Sequence, residues 1–152
     1  MSIEDKLAIH EMIAEYSYTY DSKDADGFAE VFVENGVFEI FVPGQTRPAV
    51  NLQSRKEIRE WAAERLQGRT GRFASRHYQS GIRFDGLTDE EARVRVMVLV
   101  TRQETTDTRP YVNLTGTYHD VWRKTPAGWR LAHRGAYIDR DPGFSKRPRG
   151  GT

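Results

Sequence analysis

Between Ala92 and Thr101 the chain alternates without a break. Ala92, Val94, Val96, Val98 and Val100 fall on one register, and Arg93, Arg95, Met97, Leu99 and Thr101 on the other. A strand sends successive side chains to opposite faces, and valine suits a pleated, half-buried surface. The run therefore predicts a strand over about Ala92 to Gln103 with one face in a core. The valine face could also contribute to contact with a second copy. Further strands are expected over Phe73 to Phe84, Tyr111 to Lys124 and Gly128 to Asp139. The segments between them are short and rich in turn formers: Asp85-Gly86, Asp89-Glu90-Glu91 and Thr125-Pro126-Ala127-Gly128. Such turns join antiparallel neighbours, so these strands form a meander. A sheet with one apolar face needs a second layer to cover it.

The N-terminal part can supply that layer. Ser2 can cap a helix, and Glu4 and Asp5 suit its first turn. Ile9, Ile13, Tyr16 and Tyr20 recur at helical spacing, which predicts an amphipathic helix from Ile3 to Tyr20 closed by Asp21. Asp24 can cap a second short helix carrying Phe28, Val31 and Phe32, broken by Asn35-Gly36. Val37 to Val42 reads as a strand and Pro43-Gly44 as a turn. Ser54 can cap a third helix with Ile58, Trp61, Ala62 and Leu66 on one side, stopped by Gly68. The order is α-α-β-α followed by four strands, an α+β layout. We expect one domain over residues 1–140 and a flexible basic tail over 141–152, where Lys146-Arg147-Pro148-Arg149 sits among glycines.

Several classes of function are disfavoured. With 23 basic and 22 acidic residues, the net charge of +1 gives no electrostatic reason to expect nucleic acid or an anionic membrane as partner. There is no cysteine, so disulfides and thiolate chemistry are excluded. No apolar run approaches the roughly 20 residues that span a bilayer. The N-terminus lacks a basic-then-apolar signal, and a soluble cytoplasmic protein is expected. No His-x-His or His-x-x-x-His spacing occurs, and the glycine patterns of dinucleotide sites and hydrolase elbows are missing. We expect no metal and no cofactor.

Two titratable residues stand where apolar ones would fit. At about 100° per residue, Asp21 lies on the flank of the first helix's apolar stripe, able to face the interior. His77 interrupts a strand. A carboxylate that orients an imidazole makes a general base near neutral pH. Arg134 in the last strand could face the same pocket and hold an oxyanion, or could pair with Asp120 on a neighbouring strand. Tyr16 and Tyr20 are candidate hydrogen-bond donors, though aromatic residues at helical spacing also pack as core. Phe38, Trp61, Asn113 and Tyr118 could contact substrate. His10, His119 and His133 have no evident partners, and the last two are expected at a surface or interface.

The element order, with Tyr20-Asp21-Ser22-Lys23-Asp24 closing the first helix and Arg76-His77-Tyr78 early in the meander, resembles the SnoaL-like group of the NTF2-like superfamily. Phe32-Val33-Glu34-Asn35-Gly36-Val37-Phe38, Gly116-Thr117-Tyr118 and Gly128-Trp129-Arg130-Leu131 support it. The resemblance spans roughly Ile3 to Asp139. It implies a cone-shaped domain: three helices on a highly curved, mixed but mostly antiparallel sheet, with a pocket between the first helix and the concave face. It also implies a dyad, because three lyases of the group (scytalone dehydratase, hexachlorocyclohexane dehydrochlorinase and bile-acid 7α-dehydratase) pair a helix Asp with a strand His. Asp21 and His77 match those positions. Arg134 matches an Arg of the last two enzymes, Tyr16 a Tyr of the bile-acid enzyme, and Tyr20 a Tyr of scytalone dehydratase. The dehydrochlorinase has Lys where this chain has Tyr16, which argues against dehalogenation. Scytalone dehydratase has a second catalytic His with no clear counterpart at Asn113 or His119.

The expected activity is thus a cofactor-independent lyase of dehydratase type. Its substrate would be a hydrophobic cyclic carbonyl or hydroxy compound, such as a polyketide, steroid or terpenoid. In that reading His77 takes a proton, Asp21 fixes its tautomer, and Arg134 with Tyr16 steadies the enolate. The same residues would serve an isomerase or a polyketide cyclase. A non-catalytic binding or assembly domain is the rival from another class. The group's habits imply a homodimer or homotrimer.

Overall fold

The computed structural model describes residues 2–68 and 72–144. Helix α1 (Ile3–Asp21) is followed by α2 (Ala25–Glu30), strands β1 (Phe32–Phe41) and β2 (Val50–Leu52), and helix α3 (Arg55–Leu66). Four long strands complete the described chain: β3 (Phe73–Leu87), β4 (Glu91–Glu104), β5 (Tyr111–Thr125) and β6 (Gly128–Ile138). They form one curved sheet in the order β2-β1-β6-β5-β4-β3. Every pairing is antiparallel except β1 with β6, which makes the sheet mixed. The helices cover its inner face. This is the expected α+β architecture.

Helix α1 is fixed at both ends. Ser2 Oγ accepts a hydrogen bond from the Asp5 amide at 3.1 Å, and Asp5 accepts from the Ser2 amide in return. The same carboxylate accepts from Trp129 Nε1 at 2.9 Å and pairs with Lys124 Nζ at 2.8 Å. Asp5 thereby ties the start of α1 to the β5–β6 hairpin, and these donors hold its carboxyl well below the usual carboxylate range. At the other end Lys23 adopts a left-handed φ of 65°, and Asp24 caps α2 through the Gly27 amide at 2.9 Å. That reversal brings the end of α1 against the edge strand β3.

The valines of β4 are buried at the centre of the core with Ile9, Ile13, Phe28, Phe32, Ile58 and Trp122. Arg93, Arg95 and Met97 face outward. Three expectations change in detail. Phe32 begins β1 instead of extending α2, and Asn35-Gly36 lies within that strand, where the register with β6 shifts. Asp85-Gly86 is an irregularity inside β3, not a turn. The expected tail from 141 starts with an ordered turn: the Asp141 carboxylate accepts from the Gly143 amide at 2.8 Å and the Phe144 amide at 2.6 Å. Phe144 packs back on the core. The rest of that tail, Lys146-Arg147-Pro148-Arg149 included, lies outside the described residues.

Candidate active site

Strand β3 presents Ser75, His77 and Gln79 on its inner face, two residues apart, toward the end of α1. Asp21 Oδ1 lies 2.6 Å from His77 Nδ1. Ser75 Oγ donates to the same oxygen at 2.9 Å, and the His77 amide donates to Oδ2 at 2.8 Å. Side-chain exposure is 9% for Asp21 and 11% for His77, so the pair is nearly sealed from solvent. A carboxylate receiving two outside donors is in its acceptor state, so the imidazole proton sits on Nδ1. The lone pair then sits on Nε2, which has no hydrogen-bond partner among the described residues. That is the tautomer a general base needs.

His77 borders two spaces. The inner one is a cavity of about 60 Å³ at the mouth of the curved sheet. Tyr20, Ser75, Val100, Asn113 and Leu114 form its walls, and Arg65, Phe73, Arg102 and Phe144 close it. The outer one is a surface groove of about 430 Å³ between α1 and β3, lined by Ser17, Tyr18, Ser22, Arg76 and Tyr78. A cleft of similar size between α2 and α3 is crossed by the ion pairs Arg59–Asp26 and Arg55–Glu30 and is remote from the dyad.

Arg134 lies elsewhere than the pocket role requires. It is fully buried and bound bidentately to Asp120, Nε to Oδ1 at 2.8 Å and Nη2 to Oδ2 at 2.7 Å. Its guanidinium carbon stands 4.1 Å from the ring centroids of both Tyr16 and Tyr118. Burial alone would lower its pKa, but the Asp120 carboxylate more than offsets that, so the arginine stays charged. Tyr16 is 3% exposed, and burial pushes its phenol up to about 12; Tyr118 is raised for the same reason. These groups lie buried in the sheet's concavity and do not line the cavity, although the Tyr16 ring stands edge-on to that of His77 at 6.3 Å. Phe38 is likewise core, 5.4 Å from the Trp61 ring. Trp61 does not line the cavity but lies under Arg65, at 5.2 Å. Of the expected contact residues, Tyr20 and Asn113 do line it. His133 pairs with Glu39 at 2.7 Å, and exposed His119 lies on the Tyr137 ring.

Sequence reasoning passed over Ser75, Arg65 and Arg102. Ser75 carried a signal, since it is polar and two residues from His77 on a strand. Arg65 lies four residues after Trp61 on α3, the spacing at which helix side chains meet. Among the described residues no cluster of three His, Asp or Glu could hold a metal ion. Among the described residues no helix is long and apolar enough to cross a membrane.

A family model described as a SnoaL-like domain matches residues 1–135. The chain belongs to this SnoaL-like family. Solved structures share the fold of this SnoaL-like chain. An NTF2-like protein with a cystatin-like fold from Novosphingobium aromaticivorans superposes with a TM-score of 0.74 at 22% identity, covering 90% of this chain and 82% of the other. A candidate scytalone dehydratase from the same organism gives 0.71 at 25% identity, covering 90% and 85%. The β subunit of a candidate aromatic-ring-hydroxylating dioxygenase, again from that organism, gives 0.78 at 14% identity, covering 96% and 97%. No curated protein matches the chain significantly in sequence.

Proposed function

We propose that this SnoaL-like chain is a cofactor-independent dehydratase that uses Asp21 and His77 to move a proton. The observation that carries the reading is the 2.6 Å contact between Asp21 Oδ1 and His77 Nδ1, with the opposite nitrogen unpartnered beside a cavity. The substrate is a cyclic β-hydroxy carbonyl compound. His77 Nε2 takes the proton from the carbon next to the carbonyl, and the C–H electrons form an enolate. Asp21 stabilises the resulting imidazolium. Collapse of the enolate forms the C=C bond and breaks the C–OH bond, and the imidazolium proton leaves with hydroxide as water. Returning the proton to another carbon would make the same site an isomerase.

Arg134 is engaged by Asp120, and neither it nor Tyr16 lines the cavity. Tyr20 is better placed, because it lines the cavity and its hydroxyl accepts from Arg65 Nε at 3.4 Å, leaving its own proton to donate. The acid–base step contributes on the order of 10²–10⁴-fold. A panel of cyclic β-hydroxy ketones assayed for water loss tests the proposal. Asp21→Asn and His77→Gln are expected each to reduce kcat by about that factor. Full turnover in Asp21→Asn would sink the assignment.

One observation favours a binding or assembly role instead. The inner cavity of about 60 Å³ is well below the roughly 300–1,000 Å³ of a small-molecule site. Catalysis on a ring therefore requires Phe144, which closes the cavity, to move aside. A copurifying partner subunit, with no turnover across the panel, would decide for the assembly role.

A further inference from the structure

We propose that the inner cavity takes a substrate bearing an ionised acidic group, a ring carboxylate, and that Arg65 binds it. The proposal rests on the inner cavity being the active site. The mouth is lined by basic residues and by no Asp or Glu. Arg65 and Arg102 both line it. Lys23 Nζ flanks it, 4.8 Å from the Phe73 ring, and Arg102 lies 4.1 Å from the same ring. Arg102 is neutralised by Glu104 at 2.5 Å. Asp21, the carboxylate nearest His77, is taken up by the dyad.

Arg65 has no carboxylate partner among the described residues. It is half-buried and held by rings: its guanidinium carbon lies 5.2 Å from the Trp61 centroid and 5.0 Å from that of Phe144. Its one hydrogen bond goes from Nε to the Tyr20 hydroxyl. The remaining N–H donors have no hydrogen-bond acceptor among the described residues. A guanidinium forks naturally onto a carboxylate, and Trp61, 5.2 Å from the guanidinium carbon, supports Arg65 when Phe144 gives way to the substrate ring. The expected apolar substrate would leave this charge uncompensated once the mouth closed. A carboxylate would pair with it while the ring filled the space beside His77. Tyr20 would then lie between the held acid and the reacting carbonyl.

The test measures binding of benzoate, methyl benzoate and benzyl alcohol by calorimetry, with the Trp61 indole signal in NMR reporting the site. Benzoate is expected to bind about tenfold or more tightly than its ester, the size of one charge-assisted pair. Arg65→Gln should bring the two within about twofold, and Arg65→Lys should keep part of the preference. A merely structural Arg65 would alter thermal stability without changing this ratio. Equal affinities in the wild type, no benzoate binding, or a preference that survives in Arg65→Gln would overturn the proposal. His77→Gln separates it from the catalytic reading. There the benzoate preference should persist while turnover is lost. Retained turnover would remove the dyad and leave the acid site standing, and a lost preference would assign the anion to the imidazole and overturn this inference.

Discussion

Asp21 accepts from Ser75 Oγ, the His77 amide and the His77 ring at once. A ring N–H held at 2.6 Å and shielded from water exchanges slowly. A far-downfield imidazole proton resonance is therefore expected in the NMR spectrum. It should vanish in Asp21→Ala and in His77→Gln and persist in Ser75→Ala. Its presence in Asp21→Ala would mean that the proton belongs to another group. The Arg134–Asp120 pair gives a second residue-scale expectation. Removing one member of a buried ion pair strands the other charge, so Arg134→Met should lose about 3–5 kcal/mol in urea unfolding. The double variant with Asp120→Leu should lose less than the single one. Asp21 and His77 were legible in the sequence because each broke an apolar pattern at its own position. Arg134 was legible only as a choice between the pocket and Asp120, because its meaning depends on register: Asp120 faces it across β5 and β6 and answers its charge.

Among the elements, long regular ones were readable and short or irregular ones were not. The alternation in β4 and the 3.6-residue spacing in α1 repeat often enough to identify themselves. Strand β2 has three residues, too few to display any period. The bulged start of β1 contains Asn35-Gly36, which local chemistry reads as a turn, and pairing with β6 overrides that preference. The β5–β6 contact is tight at one point. A Cβ on Gly116 would stand 2.3 Å from the Tyr137 carbonyl oxygen and 3.1 Å from Ile138 Cα. These are backbone atoms of the neighbouring strand and cannot turn aside. Gly116→Ala should therefore destabilise the protein by about 1–3 kcal/mol, read as a lower denaturant midpoint. An unchanged midpoint would mean that β6 slides freely.

For the whole molecule the depth of the concavity sets a limit in alkali. The buried phenol of Tyr16 ionises at about 12 and that of Tyr118 is also raised, whereas an unfolded tyrosine ionises near 10. Above pH 10 the unfolded chain has released phenolic protons that the folded one retains. Stability is therefore intact below that pH and falls as pH rises, by about 1.4 kcal/mol per unit for each tyrosine. Chemical unfolding followed at stepped pH should show this decline, together with late-appearing tyrosinate absorbance. In Tyr16→Phe the decline should be shallower. The turn from Asp141 to Phe144 has a practical consequence for anyone handling the protein. Phe144 lines the cavity, so an affinity tag or fusion joined directly to it would stand at the entrance. The 19 residues of α1, at about 1.5 Å each, separate the other terminus from Asp21 by nearly the width of a domain. Purification handles and surface attachments belong at that end.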